Sequence, residues 1–354
     1  MYELIITEKP AAAFKIATAL ADGKAIKENI DKVPYYKITR GKKDIVVACA
    51  VGHLYGLDRK KGEKKWAFPV FDIEWQPSHE TRKTAAFTKK YLTAIKKLCK
   101  EANEFTVATD YDVEGEVIGL NVIKHACKKK DASRMKFSTL TKPDLIEAYE
   151  NKSKTLDWGQ ANAGEARHFL DWYNGINYSR ALTSAYKTTG GFKILSIGRV
   201  QGPALKVIVD REKEIKAFKP VPYWQIELNG NVNKGDITAW HIKDKFWDKK
   251  EANKVMKNVK GKKQGIINKV EKTQFKQLPP NPFDLTALQI EAYRVFKIQP
   301  KDTLAIAQDL YTAGSISYPR TSSNQLSPKI GYSKILSLLK KQLNYDELCN
   351  KLLK

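Results

Sequence analysis

Cysteine is scarce and scattered in this chain. Its four copies, Cys49, Cys99, Cys127 and Cys349, include no Cys-X-X-Cys pair, which excludes a zinc ribbon. Sparse, unpaired thiols suit a reducing cytoplasm. No apolar run is long enough to span a membrane, and the first residues read as a strand rather than a signal peptide. There is no Gly-X-X-X-X-Gly-Lys-Ser/Thr phosphate loop, no internal repeat and no low-complexity tract. Acidic residues are outnumbered: 39 Asp plus Glu face 63 Lys plus Arg, a formal charge of +24. That balance implies a polyanionic partner and salt-dependent binding, although a Lys-rich thermophile surface would raise it too. Lysines run through Lys60-Lys61, Lys64-Lys65, Lys128 to Lys130 and Lys257 to Lys272, each run alone being an ordinary solvated surface. At 354 residues and 42% hydrophobic, the chain can bury the cores of two to four domains.

One tyrosine of 16 stands out. Ser315-Ile-Ser-Tyr-Pro-Arg-Thr-Ser322 sets Tyr318 and Arg320 two apart around a proline. In an extended backbone, which Pro319 favours, both side chains share a face. A phenol is a weak nucleophile at its ordinary pKa of about 10. A neighbouring guanidinium favours the phenolate and grips a phosphate oxygen.

A second constellation is acidic. The β-prone run 104–109 leads into Asp110-Tyr-Asp112-Val-Glu114-Gly-Glu116. Carboxylates at every second position repel unless a cation neutralises them, and hard oxygen donors suit Mg²⁺. An EF-hand loop starting at Asp110 would place Gly115 correctly, but its ninth and twelfth positions are Ile118 and Asn121, where the last needs Glu. At the amino terminus, the apolar strand Leu4-Ile5-Ile6 leads into Thr7-Glu8-Lys9-Pro10 and a helix from Ala11 to Leu20, with Pro10 in its first turn. Glu8 and Asp110 thus both follow strands. At such an edge they can share a metal, and Lys9 can bind phosphate or protonate a leaving oxygen.

Together these segments carry a family resemblance. Glu8-Lys9-Pro10, Gly52-His53-Leu54 and Asp110-X-Asp112-X-Glu114 resemble the toprim domain of topoisomerases. Ala166-Arg167-His168-Phe169-Leu170-Asp171, Gly175 to Thr183, and Ile197-Gly198-Arg199-Val200-Gln201 resemble the helical gate of type IA DNA topoisomerases. Pro222-Tyr223-Trp224 is similar to the opening of their arch. Leu285 to Gln289, Ala307-Gln308 to Gly314 and the Tyr318 segment are similar to their nucleophile domain, and all matches run in family order. Glu-Lys-Pro favours the topoisomerase III or archaeal type.

The resemblance implies a multidomain α/β plus α fold in four parts. These are a Rossmann-like toprim domain (1–150), a helical gate segment (151–212), a β-rich arch segment (213–278) whose clearest strand starts at Trp224, and a helical nucleophile domain (279–354) ending in a helix from about Lys334. It implies ATP-independent cleavage and resealing of single-stranded DNA through a 5′-phosphotyrosine ester on Tyr318. Arg320, Glu8 and Lys9 would assist catalysis. Glu8, Asp110, Asp112 and Glu114 would hold Mg²⁺. Arg167, Asp171, Arg199, Gln201, Gln308 and Thr321 would contact DNA, though Arg167 and Asp171, four apart on a helix, also suit a plain surface ion pair. The expected location is the cytoplasm, with the nucleoid.

Members of that family are longer and carry a later phosphate-binding histidine, whereas no His follows His241 here. The chain is therefore expected to be a fragment, or one subunit of a split enzyme completed by a C-terminal topoisomerase chain. Two other readings stay open: another toprim enzyme, a primase or nuclease that does not need Tyr318, and a non-catalytic single-stranded DNA-binding subunit.

Overall fold

The structure is a computed structural model that describes every residue except 61, 63–65, 67, 233–234, 327–329 and 354. Lys61, Lys64 and Lys65 of the basic runs lie outside the described residues, as does the terminal Lys354. The chain forms two compact units, Met1–Arg199 with Pro280–Lys354, and Val200–Pro279.

At the centre of the first unit is β1 (Tyr2–Thr7), whose Leu4, Ile5 and Ile6 are fully buried. Leu4 and Ile6 join the core on one face of the sheet and Ile5 the core on the other. A strand covered on both faces reads as an unbroken apolar run. On one side β1 pairs in parallel with β4 (Lys43–Cys49), which continues antiparallel into β3 (Val33–Arg40) and β2 (Ile26–Ile30). That edge is a meander because Asp31 and Lys32, both left-handed, close a two-residue turn that needs no crossover helix. A separate ribbon pairs β5 (Tyr55–Arg59) with β6 (Ile73–Pro77). On the other side β1 runs parallel to β7 (Ala102–Ala108), which is followed by the short parallel β8 (Ser133–Arg134).

Helix α1 (Pro10–Leu20) packs on one face. After the single turn α2 (Ser78–Thr81), α3 (Thr88–Glu101) and α4 (Val113–Asn121) cover the other face. Helix α5 (Lys142–Glu150) lies beside α1. Helix α6 (Trp158–Tyr173) packs on α4 and leads through a π-helical turn into α7 (Ser179–Lys187). Cys99 and Cys127, expected to be unpaired, are joined as a disulfide with Cα atoms 5.2 Å apart. Their 28-residue separation hides that the end of α3 meets the segment after α4.

The second unit holds α8 (Gln201–Ala217), a hairpin of β9 (Glu227–Val232) and β10 (Gly235–Trp240), and α9 (Lys249–Val259). The strand expected from Trp224 begins at Glu227, and Trp224 makes only an isolated bridge to Phe246. Helix α9 interrupts the stretch expected to be β-rich. Asp248 caps it by accepting from the Lys250 N–H at 2.8 Å, and Lys, Glu, Ala and Met are good helix formers.

The chain returns to the first unit with α10 (Leu285–Phe296) and α11 (Pro300–Ala313). Tyr311 of α11 is buried in the same core as α1. The expected terminal helix is two, α12 (Tyr332–Leu339) and α13 (Asp346–Leu352). Asp346 and Glu347 in the first turn of α13 complement a new helix start.

Candidate active site

Strands β1 and β7 are neighbours and end together, Thr7 opposite Ala108. Their carboxyl ends form the sheet edge at which ligands of such folds bind. Glu8 and Lys9 occupy the turn from β1 into α1, and Pro10 starts the helix where its missing N–H costs nothing. Asp110 follows β7 and is buried. The Lys9 Nζ donates to Asp110 Oδ2 at 2.8 Å and lies 3.4 Å from Glu8 Oε1. Glu8 is pushed above the ordinary carboxylate range by burial and then by the charge of Asp110, with Asp112 adding to it against Lys9. Burial would lower the Lys9 pKa, but Glu8 and Asp110 outweigh it and raise it.

Asp112 caps α4, accepting from the Gly115 N–H on Oδ1 at 2.7 Å. Gly115 is required here, since a Cβ would stand 2.1 Å from the Asp110 carbonyl oxygen. The other oxygen of Asp112 accepts a hydrogen bond from the Tyr318 hydroxyl. Tyr318 arrives from the segment after α11, which ends at the left-handed Gly314. Its N–H donates to the Ser138 carbonyl at 2.9 Å, and its ring lies against Tyr311, 5.2 Å between centroids. The Tyr311 hydroxyl in turn donates to Asp110 Oδ1 at 3.2 Å.

The Tyr318 segment is not the extended strand expected. It bends, so Tyr318 is partly buried, Pro319 buried and Arg320 exposed. Nor does the guanidinium bring Tyr318 towards its phenolate. Burial first, then the bond to Asp112 and the charges of Asp112 and Asp110, raise its pKa well above 10, while Arg320 only offsets part of this.

The acidic run divides three ways. Asp110 and Asp112 face Lys9 and Tyr318. Glu114 turns instead to His168 Nε2 at 2.9 Å and His53 Nε2 at 3.2 Å, with Arg167 Nη1 at 3.5 Å from its other oxygen. Those imidazoles, His168 first, hold its carboxyl far below the usual range. Glu116, read as a fourth member of the cluster, is fully buried and paired with Arg134 at 2.7 Å. Arg134 also donates to the Asp110 and Thr109 carbonyls at 2.9 and 3.0 Å, fixing the loop that carries Asp110. Asp112 starts a helix of 3.6 residues per turn, so carboxylates two apart swing to opposite faces, which the alternating strand pattern had merged.

Two protein families match: the Toprim domain over residues 3–140 and DNA topoisomerase over residues 155–354. The chain belongs to the type IA DNA topoisomerase family. DNA topoisomerase 1 of Methanocaldococcus jannaschii is 48% identical over 355 residues, 100% of this chain and 46% of the relative. DNA topoisomerase 1 of Pyrococcus horikoshii is 48% identical over 97% of this chain and 50% of its own length. Full-length topoisomerase I from Thermotoga maritima shares the fold with a TM-score of 0.60 and 25% identity, over 96% of this chain and 52% of that one. The chain thus spans about half the length of the curated relatives it matches. Toprim domains are typically metal-binding, and carboxylate oxygens are a donor type that suits hard cations. Glu8, Asp110 and Asp112 offer only carboxylate oxygens, and burial first, then the neighbouring charge of Asp110, raises the Glu8 pKa against Lys9.

Within this topoisomerase fold, Asp171 is held by Arg199 through Nε at 2.5 Å and Nη2 at 3.2 Å, while its contact with Arg167 is longer, 3.8 Å. All three are exposed. Gln201 opens α8 in the second unit and is exposed. Gln308 is half-buried and its Nε2 has no hydrogen-bond partner among the described residues. Thr321 accepts from the Leu285 N–H through its carbonyl at 3.0 Å. Sequence reasoning missed Tyr311, Arg134 and Ser138. Tyr311 lies seven residues before Tyr318, and only the pairing of both phenols with the acidic loop singles it out.

Proposed function

We propose that this chain carries the cleavage half of a type IA topoisomerase, transferring a single DNA strand onto Tyr318 and resealing it without a nucleotide. The observation that carries this is the Tyr318 hydroxyl seated on Asp112, beside Lys9, Glu8 and Asp110. The Tyr318 oxygen attacks a backbone phosphorus, its proton passing to the Asp112 carboxylate that already accepts it. As the new O–P bond forms, the bond to the 3′ oxygen breaks. Lys9, whose raised pKa keeps it charged, donates to that oxygen, and Glu8 stands ready to share the proton. Arg320, exposed beside Tyr318, meets the non-bridging oxygens as charge builds. Glu8, Asp110 and Asp112 would hold Mg²⁺, which when bound neutralises charge and orients the 3′ end for resealing. Resealing reverses the steps, and the ester conserves the bond energy.

Arg167, Arg199, Gln201, Gln308 and Thr321 would guide the strand, with the +24 charge supplying salt-dependent affinity. The four-part division at residues 150, 212 and 278, and a complementing C-terminal chain as partner, belong to the same proposal.

The test is covalent trapping. A labelled single-stranded oligonucleotide is incubated with the chain and quenched in denaturant, beside Tyr318→Phe. A labelled adduct present in the unaltered chain and lost in the variant is the expected result. An adduct that survives Tyr318→Phe overturns the assignment. Binding with no adduct, even when the C-terminal part of a relative is supplied, favours the non-catalytic DNA-binding reading.

A further inference from the structure

Glu114 leaves the carboxylate cluster for two imidazoles, and the three groups come from three separate elements. His53 follows β4, Glu114 lies in the first turn of α4, and His168 is on α6. Among the described residues, His53, Glu114 and His168 alone offer three ligand atoms all within 4.8 Å of one another. We propose that they form a second cation site, selective for a borderline divalent transition metal of the Zn²⁺ class and distinct from the oxygen-only site at Glu8, Asp110 and Asp112.

Geometry supports this. Ligands about 2.0–2.1 Å from a tetrahedral ion lie roughly 3.3 Å apart. The two imidazole Nε2 atoms lie 2.9 and 3.2 Å from the same Glu114 oxygen. The backbone that delivers His53 is strained, since Val51 is β-branched yet has φ +56° and Gly52 follows at φ +89°. Such strain is held only where the surroundings fix it. Gly52 N–H donates to the Glu8 carbonyl at 3.1 Å, which anchors that turn. His168 is oriented by Trp75, with ring centroids 5.4 Å apart, and lies 5.1 Å from the His53 ring.

The donor chemistry separates the two sites. Imidazole with one carboxylate suits Zn²⁺ and its neighbours, whereas carboxylates and water suit Mg²⁺. Three protein ligands leave a tetrahedral position open. A cavity of about 530 Å³, lined by His53, His168, Tyr55, Arg82 and Trp172 among others, gives a water or an anion room to fill it. Arg167 is an opposing charge beside Glu114. It touches the other Glu114 oxygen at 3.5 Å, is exposed, and has Asp171 at 3.8 Å as an alternative partner. A bound cation would therefore release Arg167 towards Asp171 or a phosphate.

Co²⁺ serves as the spectroscopic probe. One equivalent added to the metal-free full chain is expected to give the visible ligand-field absorption of a four-coordinate ion, and Zn²⁺ should displace it. His53→Ala and His168→Ala are expected to weaken binding about tenfold or more, while Asp110→Asn leaves the band intact. Absence of the band, its survival in either histidine variant, or its loss in Asp110→Asn overturns the proposal. Should the histidine variants misfold, proton NMR of the Co²⁺-loaded unaltered chain decides. Two hyperfine-shifted imidazole N–H signals are expected, one of them from the buried Nδ1 of His53, and fewer than two would overturn the site.

Discussion

Strand β1 carries a buried or half-buried carboxylate near each end, and the two are treated in opposite ways. Glu3 at the start receives hydrogen bonds from Lys152, Lys43, Tyr149 at 2.7 Å and Thr106. Burial alone would raise its pKa, but these four donors outweigh it and bring the carboxyl down from 4.5 to about 2. Glu8, just past the other end, is lifted by burial and by Asp110, with Lys9 as its close cation. A structural carboxylate is one whose charge the fold itself satisfies. Glu8 is less fully compensated by the fold, and under the proposed function that deficit is where a substrate's proton or a cation would find its driving force.

The largest effect expected from this contrast is on rate. Glu8→Gln should slow formation of the covalent adduct by about 10²–10⁴-fold while leaving the denaturation midpoint unchanged or higher, because a repelled charge is removed. Glu3→Gln should do the reverse, losing about 2 kcal/mol of stability with cleavage retained. Equal losses of cleavage in both variants would dissolve the distinction between the two ends. Next in size is Gly115→Ala. Its Cβ would meet the Asp110 carbonyl at 2.1 Å, so the loop or the helix must shift, at about 3 kcal/mol, and cleavage should fall with it. Gly23→Ala, with nothing within 4 Å, is the control expected to stay within about 0.5 kcal/mol in a urea melt.

Acid sharpens the Glu3 end further. A carboxyl depressed from 4.5 to about 2 in the folded chain contributes stability that is complete above the unfolded value and lost as pH falls through the folded one. The window is thus about pH 5 to 2, and the loss is about 2 to 3 kcal/mol once the partly exposed lysines are allowed for. Melts across that range should show the step in the unaltered chain and not in Glu3→Gln.

Much of the site was legible because its signals are local. Leu4-Ile5-Ile6 followed by Glu8-Lys9-Pro10, and a β-prone run followed by Asp110, each announce a strand ending in a charged turn, and the structure sets the two ends side by side. What stayed hidden depends on distant contacts. Period-two spacing grouped Asp112, Glu114 and Glu116, yet Asp112 begins a helix, so Glu114 finds His53 and His168 while Glu116 finds Arg134. The extended geometry read into Tyr318-Pro-Arg320 fails because the segment is shaped by Ser138 and Tyr311 rather than by a strand partner. The Cys99–Cys127 pairing was equally invisible, since it rests on two helical segments that meet only in the fold.

The smallest effect separates the cation sites from one another. Ligand that binds only the folded chain stabilises it by RT ln(1 + [L]/Kd), about 1.4 kcal/mol at tenfold excess over Kd. Mg²⁺ should therefore raise the melting temperature modestly, and Asp110→Asn or Asp112→Asn should abolish the rise, because each removes a hard oxygen donor from the undercompensated end of the sheet. Glu3→Gln should keep it, its carboxylate being already saturated by lysines. Glu114→Gln is the decisive comparison. If Glu114 belongs with the imidazoles, the Mg²⁺ response survives its neutralisation. If the response disappears, the carboxylate swings back to the Asp110 cluster once a cation arrives, and the separation between Asp112 and Glu114 holds only in the metal-free chain.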